Sequence, residues 1–400
     1  MLKVLHFSDL HANRKNLEKV KVALDHVIKT AEERKPDLIL FTGDMWDGQT
    51  TIDYSSPLMM VIDEFADLSR ISPIVIIRGT PSHDRPGSLE VFGSIRTKQP
   101  VFIIRDPEIF PCNHLNCFIY PIPAPTKSGL VKMAQDKGIE LSPDKSDEVC
   151  ADILHDILRG YGLHLAEARK QNPATIGIVA GHLTISGART STGQIMMSGD
   201  IPVPSMYLQE IEAELICLGH IHKHQIIDGT IFYPGSCLPV NWGEQEQKVM
   251  LYYELEPGQT VHYEAIPFPF PPMVDIEGTA DNDGGINFQN GFDIRDLIGA
   301  DVRIRIKIKI SPHNKDLYTQ EKFLLLLNFL ASQAGLDGEL KINSLKFEKI
   351  IETENRQRCE AITIARTNVE KLLAWGESNN TDITDGMIKC LEKAESGVAE

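Results

Sequence analysis

Five short polar stretches carry the residue types able to do chemistry in this chain. They are Ser8-Asp9-Leu10-His11, Gly43-Asp44, Ser82-His83-Asp84, Gly181-His182 and Gly219-His220-Ile221-His222. Imidazoles and carboxylates gathered without thiolates suit divalent transition metals such as Mn, Fe or Zn rather than calcium. Asp9 and His11 are two apart, as are His220 and His222, and in an extended segment that spacing lets both members face one side. A carboxylate has two oxygens, so one central Asp can bridge two ions. Paired ions, about 3.5–4 Å apart, clamp the attacking and leaving oxygens of a phosphate ester. Each stretch alone has an ordinary reading. A lone His is commonly a surface or core group, and Asp after Gly commonly caps a helix or forms a turn. Ser82-His83-Asp84 alone is only a polar loop, because a catalytic triad is recognised by geometry rather than adjacency. The joint pattern, each member following an apolar run, is what points to a site.

Those apolar runs are the elements that must position the site. "KVLHFS", "DLILFTGD" and "IVIIRG" read as strands, the latter two nearly continuous as in strands buried on both faces. Between them, Leu17, Val20, Leu24, Val27 and Ile28 recur at helical spacing, and a second amphipathic stretch spans about Leu58 to Leu68. "VFIIRD" and "NCFIYPIP" follow as shorter strands, the stretch from Lys127 to Arg169 reads as helical, and "TIGIVAGH" and "LICLGHIH" are two more buried strands. "HQIIDGTIFYPGS" and "KVMLYYELEPGQTVHYEAI" look like strand pairs with Gly turns. Alternation of this kind implies a parallel or mixed sheet flanked by helices. In open α/β sheets ligands bind outside the carboxyl ends of the strands, so five polar ends are expected to converge on one rim.

The chain has 400 residues, enough for two or three domains. Its formal net charge of −16 argues against coating nucleic acid through bulk charge, though not against local basic strips. No signal peptide opens it and its longest apolar run is far short of a bilayer span, so a cytoplasmic protein with no membrane role is expected. Seven cysteines without a CxxC pair exclude neither fold nor function, but they make a disulfide framework or thiolate zinc site unexpected. "PFPFPPM", Pro267 to Met273, marks a linker. Beyond it, "DNDGGINFQNG" reads as a turn, since it lacks the closing Glu of an EF-hand loop. A strand "VRIRIKIKI", a helix about Leu317 to Ala334 and a strand "ELKINSLKFEKI" suggest a small α/β domain, with a helical tail after it.

The ordered set D-x-H, G-D, S-H-D, G-H, G-H-x-H resembles the calcineurin-like metallophosphoesterase superfamily, and more narrowly the SbcD family of double-strand-break repair nucleases. "FSDLHANRKNLEKV", "PDLILFTGDMWDG", and "LGHIHKHQ" followed by "IFYPGSCLPVNWGEQEQKVMLYYEL" carry the resemblance, which covers most of residues 1–265 and is weaker beyond. It implies an α/β fold: a metallophosphoesterase β-sandwich flanked by helices (1–268), a DNA-contacting capping domain (273–355) and C-terminal helices (360–400). It implies two divalent ions, Mn2+ foremost with Fe2+ or Zn2+ as alternatives. One would be held by Asp9, His11, Asp44 and His222, the other by Asp44, His182, His220 and the residue before His83. That residue is usually Asn in a compact Gly-Asn-His-Asp. Here the chain reads Gly79-Thr80-Pro81-Ser82-His83-Asp84, with two extra residues and Ser82 in the Asn place. His83 is expected to protonate the leaving 3′-oxygen or stabilise the transition state, with Asp84 orienting it.

The resemblance further implies exonuclease action on double-stranded DNA and endonuclease action on single strands or hairpins. It implies a homodimer acting with an SbcC-type ABC ATPase bearing a coiled coil. No Walker motif occurs here, so ATP dependence would come from that partner. Its docking face would be Val369, Leu372, Leu373 and Trp375, for which packing onto their own domain is the simpler reading. On "VRIRIKIKI", Arg303, Arg305, Lys307 and Lys309 face away from the isoleucines. They form either a phosphate-contacting strip or the solvated, protective face of an edge strand. Arg85 and Arg189 are further candidate DNA contacts. Two other readings stand beside the nuclease: a small-nucleotide phosphodiesterase or phosphatase of the same superfamily, and a non-catalytic scaffold lacking its second metal.

Overall fold

The apolar runs become strands whose carboxyl ends carry the polar stretches. In the computed structural model these are β1 (Leu2–Phe7), α1 (Leu17–Arg34), β2 (Leu38–Phe41), α2 (Met59–Ile71), β3 (Ile74–Ile77) and β4 (Val101–Ile104). They are followed by β5 (Phe110–Cys112), β6 (Cys117–Ile122), α3 (Lys127–Asp136), α4 (Ser146–Gln171), β7 (Ile176–His182), α5 (Ser205–Gln209) and β8 (Leu215–Gly219). The hairpins β9 (Gln225–Ile227) to β10 (Ile231–Tyr233) and β11 (Val249–Leu255) to β12 (His262–Pro267) complete this part. The structure describes residues 1–48, 59–136, 138, 146–192, 194, 201–280, 286–289, 291–309, 319–336, 340–352, 367–378 and 381–395.

Two six-stranded sheets result, ordered β12-β11-β1-β2-β3-β4 and β5-β6-β7-β8-β10-β9. The first is parallel from β1 through β4 and antiparallel through β11 and β12. Alternation along the strands decides the layers. Val4, Leu38, Leu40, Val75 and Ile77 of the first sheet share one buried cluster with Ile119, Ile178, Ala180, Leu215 and Phe232 of the second. Leu5, Phe7, Ile39, Phe41 and Ile76 point the opposite way, into a cluster with Val20, Leu24 and Val27 of α1 and Val61, Phe65 and Leu68 of α2. On the other side Tyr120, Val179, Ile216 and Leu218 meet Leu154, Leu158 and Leu165 of α4. The fold is therefore an α/β sandwich of two sheets with helices on both outer faces. β2 shows why it holds: all four of its side chains are buried, each worth about 1.5–3 kcal/mol relative to exposure.

Beyond Pro272 come β13 (Met273–Ala280), β14 (Ile286–Phe288), β15 (Asp301–Lys309), α6 (Gln320–Gln333), β16 (Ser344–Glu352), α7 (Asn368–Ser378) and α8 (Asp385–Glu395). The chain divides into two compact units, one of residues 1–275 with 297–302 and 342–344, the other of the remainder. The stretch "VRIRIKIKI" is β15, with Val302, Ile304 and Ile306 fully buried. It is not an edge strand, however. The four-stranded sheet runs β14-β13-β15-β16, so β15 lies inside it, and edge protection is not the reason for its basic face. Arg303, Arg305 and Lys307 are half-buried there. Arg305 pairs with Glu277 of β13. Glu348 of β16 is held below the usual carboxylate range by its hydrogen bond to Lys346, with the charges of Arg303 and Arg305 adding to it. The Lys309 side chain lies outside the described residues, as does most of "DNDGGINFQNG". β16 starts at Ser344, later than "ELKINSLKFEKI" suggests. Asn343 and Ser344 both donate to Asp301 Oδ1 (2.6 Å each), which ties the chain down before the strand begins.

Candidate active site

β1, β2 and β3 of one sheet and β7 and β8 of the other all deliver polar residues at their carboxyl ends. The loops there are fixed by backbone bonds that prolong the β1–β2 pairing. Asp9 N–H donates to Gly43 O (3.0 Å), His11 N–H to Asp44 O (3.1 Å) and Ala12 N–H to Met45 O (2.9 Å). Asp9, His11, Asp44 and His220 all have left-handed backbones (φ 53°, 46°, 56° and 91°). Asp and His enter that region more readily than most residues, but each such residue still costs about 1–3 kcal/mol. Strain of this kind persists where the surroundings dictate it, and here it turns four candidate ligands inward.

Two groups of side chains result, Asp9 with His11 and His222, and Asp44 with His182 and His220. Within each, the possible ligand atoms lie within 4.8 Å of one another. Asp9 is held by His220 N–H, which donates to both its oxygens (3.1 and 3.0 Å). Gln194 brackets the His220–His222 segment, donating to His220 O (2.7 Å) and accepting from His222 N–H (3.2 Å). A third group, His11, Asp47 and His83, adjoins the first.

Hydrogen bonds decide which ring nitrogens face inward. His182 Nδ1 lies 2.6 Å from the Thr42 carbonyl, which can only accept, so Nδ1 carries the proton. Its Nε2 then bears a lone pair, is buried with no hydrogen-bond partner, and sits 3.2 Å from Asp44 Oδ2. A lone pair facing a carboxylate oxygen requires a positive charge between them, a proton or a metal ion. Burial opposes a charged His182, yet the Asp44 carboxylate overrides it and raises the imidazole to about 10. Burial likewise opposes the Asp44 charge, but His182, and after it His11 and His83, hold that carboxyl far below its usual range. The unpartnered hydroxyl of Thr184 lines the same small cavity, about 20 Å³, together with Thr80, His182 and His220. That volume suits one water-sized species.

In the first group His222 Nδ1 faces Glu244 Oε1 (2.8 Å), leaving Nε2 as the inward atom, 2.9 Å from His11 Nε2. Two ring nitrogens this close need a proton or a shared cation between them. Burial, and then His222, drive His11 well below its normal pKa, so it is a neutral donor. The residues present therefore fit divalent metal ions in both groups.

The loop after β3 departs from expectation in two ways. Asp84 does not orient His83. Its carboxylate is turned inward, accepting from Gly79 N–H (2.7 Å), Asp44 N–H (3.0 Å) and Met45 N–H (2.9 Å). It pins the backbone that presents Asp44. Burial, then the Asp44 charge, push it up to about 7 against the pull of those donors. His83 instead accepts from Gly48 N–H at Nδ1 (3.4 Å), which leaves its proton on Nε2, 4.0 Å from Asp44 Oδ2; Asp47 lies 4.0 Å from Nδ1. Nor does Ser82 meet the cluster first. Thr80, through N–H (2.7 Å) and hydroxyl (2.9 Å), donates to Asp44 Oδ1, and the Ser82 hydroxyl reaches only the Thr80 hydroxyl (3.2 Å). Counting back from His83 selects Ser82; counting forward from Gly79 would have selected Thr80. Glu244, Gln194 and Asp47 were also missed, because nothing in their local spacing marks them.

Arg85 and Arg189 are exposed, the latter with its backbone tied to Gln225. In α7, Leu373 and Trp375 are exposed and Val369 and Leu372 half-buried. No described helix is long and apolar enough to cross a membrane.

Residues 2–224 match the calcineurin-like phosphoesterase family. The chain is 24% identical over 288 residues to the D component of nuclease SbcCD from Staphylococcus epidermidis, covering 69% of this chain and 72% of that one. It is 23% identical over 260 residues to the same component from Staphylococcus saprophyticus, covering 62% and 63%. A dimetal phosphatase from Danio rerio superimposes with a TM-score of 0.42 and 10% identity, over 67% of this chain and 99% of that one.

Proposed function

Because the chain belongs to the calcineurin-like phosphoesterase family, we propose that it is a two-metal DNA nuclease of SbcD type, cleaving duplex ends and single-stranded or hairpin DNA. The observation that carries the reading is the pair of buried groups, Asp9 with His11 and His222 and Asp44 with His182 and His220, each with its possible ligand atoms within 4.8 Å of one another. A scaffold that had lost its second metal would be expected to lose part of such a set rather than keep six buried candidate ligands. The similarity to components of nuclease SbcCD supports DNA as the phosphodiester.

In this reading Asp9, His11 and His222 would hold one ion and Asp44, His182 and His220 the other, and Asp44 would be shared between them. Divalent ions, Mn2+ foremost, would supply charge for the phosphoryl oxygens and acidify an attacking water. Everything else falls to the chain. Thr80 steers Asp44 by donating to Oδ1, leaving Oδ2 turned towards His182. Asp84 fixes the Asp44 backbone. His83, with its proton on Nε2 and its ring edge-on to His11 at 4.6 Å between centroids, is placed to donate to a leaving oxygen. Arg303, Arg305, Lys307 and Lys309 on β15 are the candidate phosphate contacts, and Arg305 also pairs with Glu277. Partnership with an ABC ATPase through α7, and dimerisation, extend the reading on the sequence resemblance.

Linear duplex, hairpin and single-stranded DNA incubated with the full chain and Mn2+ test it. Cleavage is expected, falling about 10²–10⁴-fold in His83→Ala with metal content unchanged. Cleavage of small nucleotides but no DNA would favour the other superfamily activity, and no cleavage of either would favour the scaffold.

A further inference from the structure

Behind His222, on the side away from His11, a carboxylate and an ammonium are buried together. Glu244 is 1% and Lys248 3% exposed. Every lone pair of Glu244 is used. Oε1 accepts from His222 Nδ1 (2.8 Å) and Asn241 Nδ2 (2.8 Å). Oε2 accepts from Lys248 Nζ (2.7 Å) and Val240 N–H (3.2 Å). Lys248 Nζ also donates to Glu246 Oε1 (2.8 Å) and to the carbonyl of His222 itself (3.1 Å). The ammonium thus grips both the backbone of residue 222 and the carboxylate that meets its ring.

Such an arrangement is an expensive way to fill space. Apolar side chains of similar volume commonly do so at equal or lower cost than a buried ion pair. What the pair adds is direction. A carboxylate can only accept here, so it commits His222 to the Nδ1–H form and turns Nε2 towards Asp9 and His11. Carboxylates behind metal-binding histidines fix tautomer and ring orientation in this way.

We propose that Glu244 is a positioning residue for His222, locking its ring with Nε2 facing Asp9 and His11, and that Lys248 holds Glu244 to that task. The consequence for metal affinity rests on the reading of Asp9, His11 and His222 as a metal group; the orientation itself does not. The test therefore has two readouts on the full chain. In the first, ¹⁵N-histidine NMR of protein stripped with EDTA reads the His222 tautomer, its signal assigned by loss in His222→Gln. At a pH high enough to leave His222 neutral, the wild type should show the Nδ1–H form and Glu244→Ala a mixture. In the second, calorimetric titration with Mn2+ should show affinity lowered about 10–100-fold in Glu244→Ala, and lowered in the same direction in Lys248→Met. Where Glu244→Ala does not fold, Glu244→Gln, which keeps the shape, carries the test: the tautomer is kept and Mn2+ affinity falls several-fold. A wild-type His222 in the Nε2–H form overturns the proposal. So does a folded Glu244→Ala, or else Glu244→Gln, with wild-type Mn2+ affinity and only a lower melting point, which is the signature of a purely structural pair. A tautomer change in a protein that binds no Mn2+ would uphold the orientation and sink the metal reading instead.

Discussion

His6 lies directly beneath the candidate site, fully buried in β1, its ring nitrogens bonded to Tyr253 Oη (3.1 Å) and Thr42 Oγ1 (2.9 Å). Thr42 in turn presents the carbonyl that sets the His182 tautomer. Burial, then the nearby His224, push the His6 pKa down to about 3. The unfolded chain takes up this proton near pH 6.5, whereas the folded one resists it until about 3. The contribution of His6 to stability is therefore complete above pH 6.5 and drains away as the pH falls towards 3. At pH 5 the loss is about 2 kcal/mol. His6→Gln, which retains hydrogen-bonding capacity, should escape that loss. Urea denaturation of both proteins at pH 7 and pH 5 checks it; a stability difference that stays constant between the two pH values would contradict the account.

At the scale of elements, the site is a property of strand ends and of how closely they approach. A Cβ on Gly219, at the end of β8, would stand 2.2 Å from both Ser8 Oγ and the Thr42 carbonyl, and 2.9 Å from His182 Nδ1. None of these atoms is the loose end of a long side chain. Gly219→Ala is expected to lower stability by about 1–3 kcal/mol and, by displacing His182, to weaken metal binding as well; thermal melts with and without Mn2+ measure both. If the added stabilisation from Mn2+ matches wild type, the close packing of β8 against the β1 and β2 loops does not govern the site. The strands themselves were legible in the sequence, because continuous apolar runs such as Leu38–Phe41 have only buried-strand or buried-helix readings and are too short for a helix. Asp9, His11, Asp44, His182, His220 and His222 come together for a related reason: each lies at or within a few residues of the end of such a run. What could not be read was direction. Asp84 follows His83 in sequence yet serves the backbone of Asp44 and Met45, and Thr80 rather than Ser82 meets Asp44. Both depend on the path of a loop with two extra residues. Glu244 lies 22 positions from its partner His222, a separation that no local pattern encodes.

For the molecule as a whole, charge and architecture divide the work. The chain carries a formal −16, yet the strand with the strongest basic alternation, β15, sits inside a sheet whose neighbours Glu277 and Glu348 temper it. Any DNA contact there is local, and the candidate catalytic groups lie in the two-sheet unit, Asp9 with His11 and His222 and Asp44 with His182 and His220. That dinuclear arrangement is the central claim. It is tested most directly by counting Mn2+ retained per chain after equilibrium dialysis, for the wild type and for Asp44→Asn. The account predicts two ions in the wild type and fewer than two in Asp44→Asn. A wild-type chain that retains none or one, or an Asp44→Asn chain that keeps both, would contradict it.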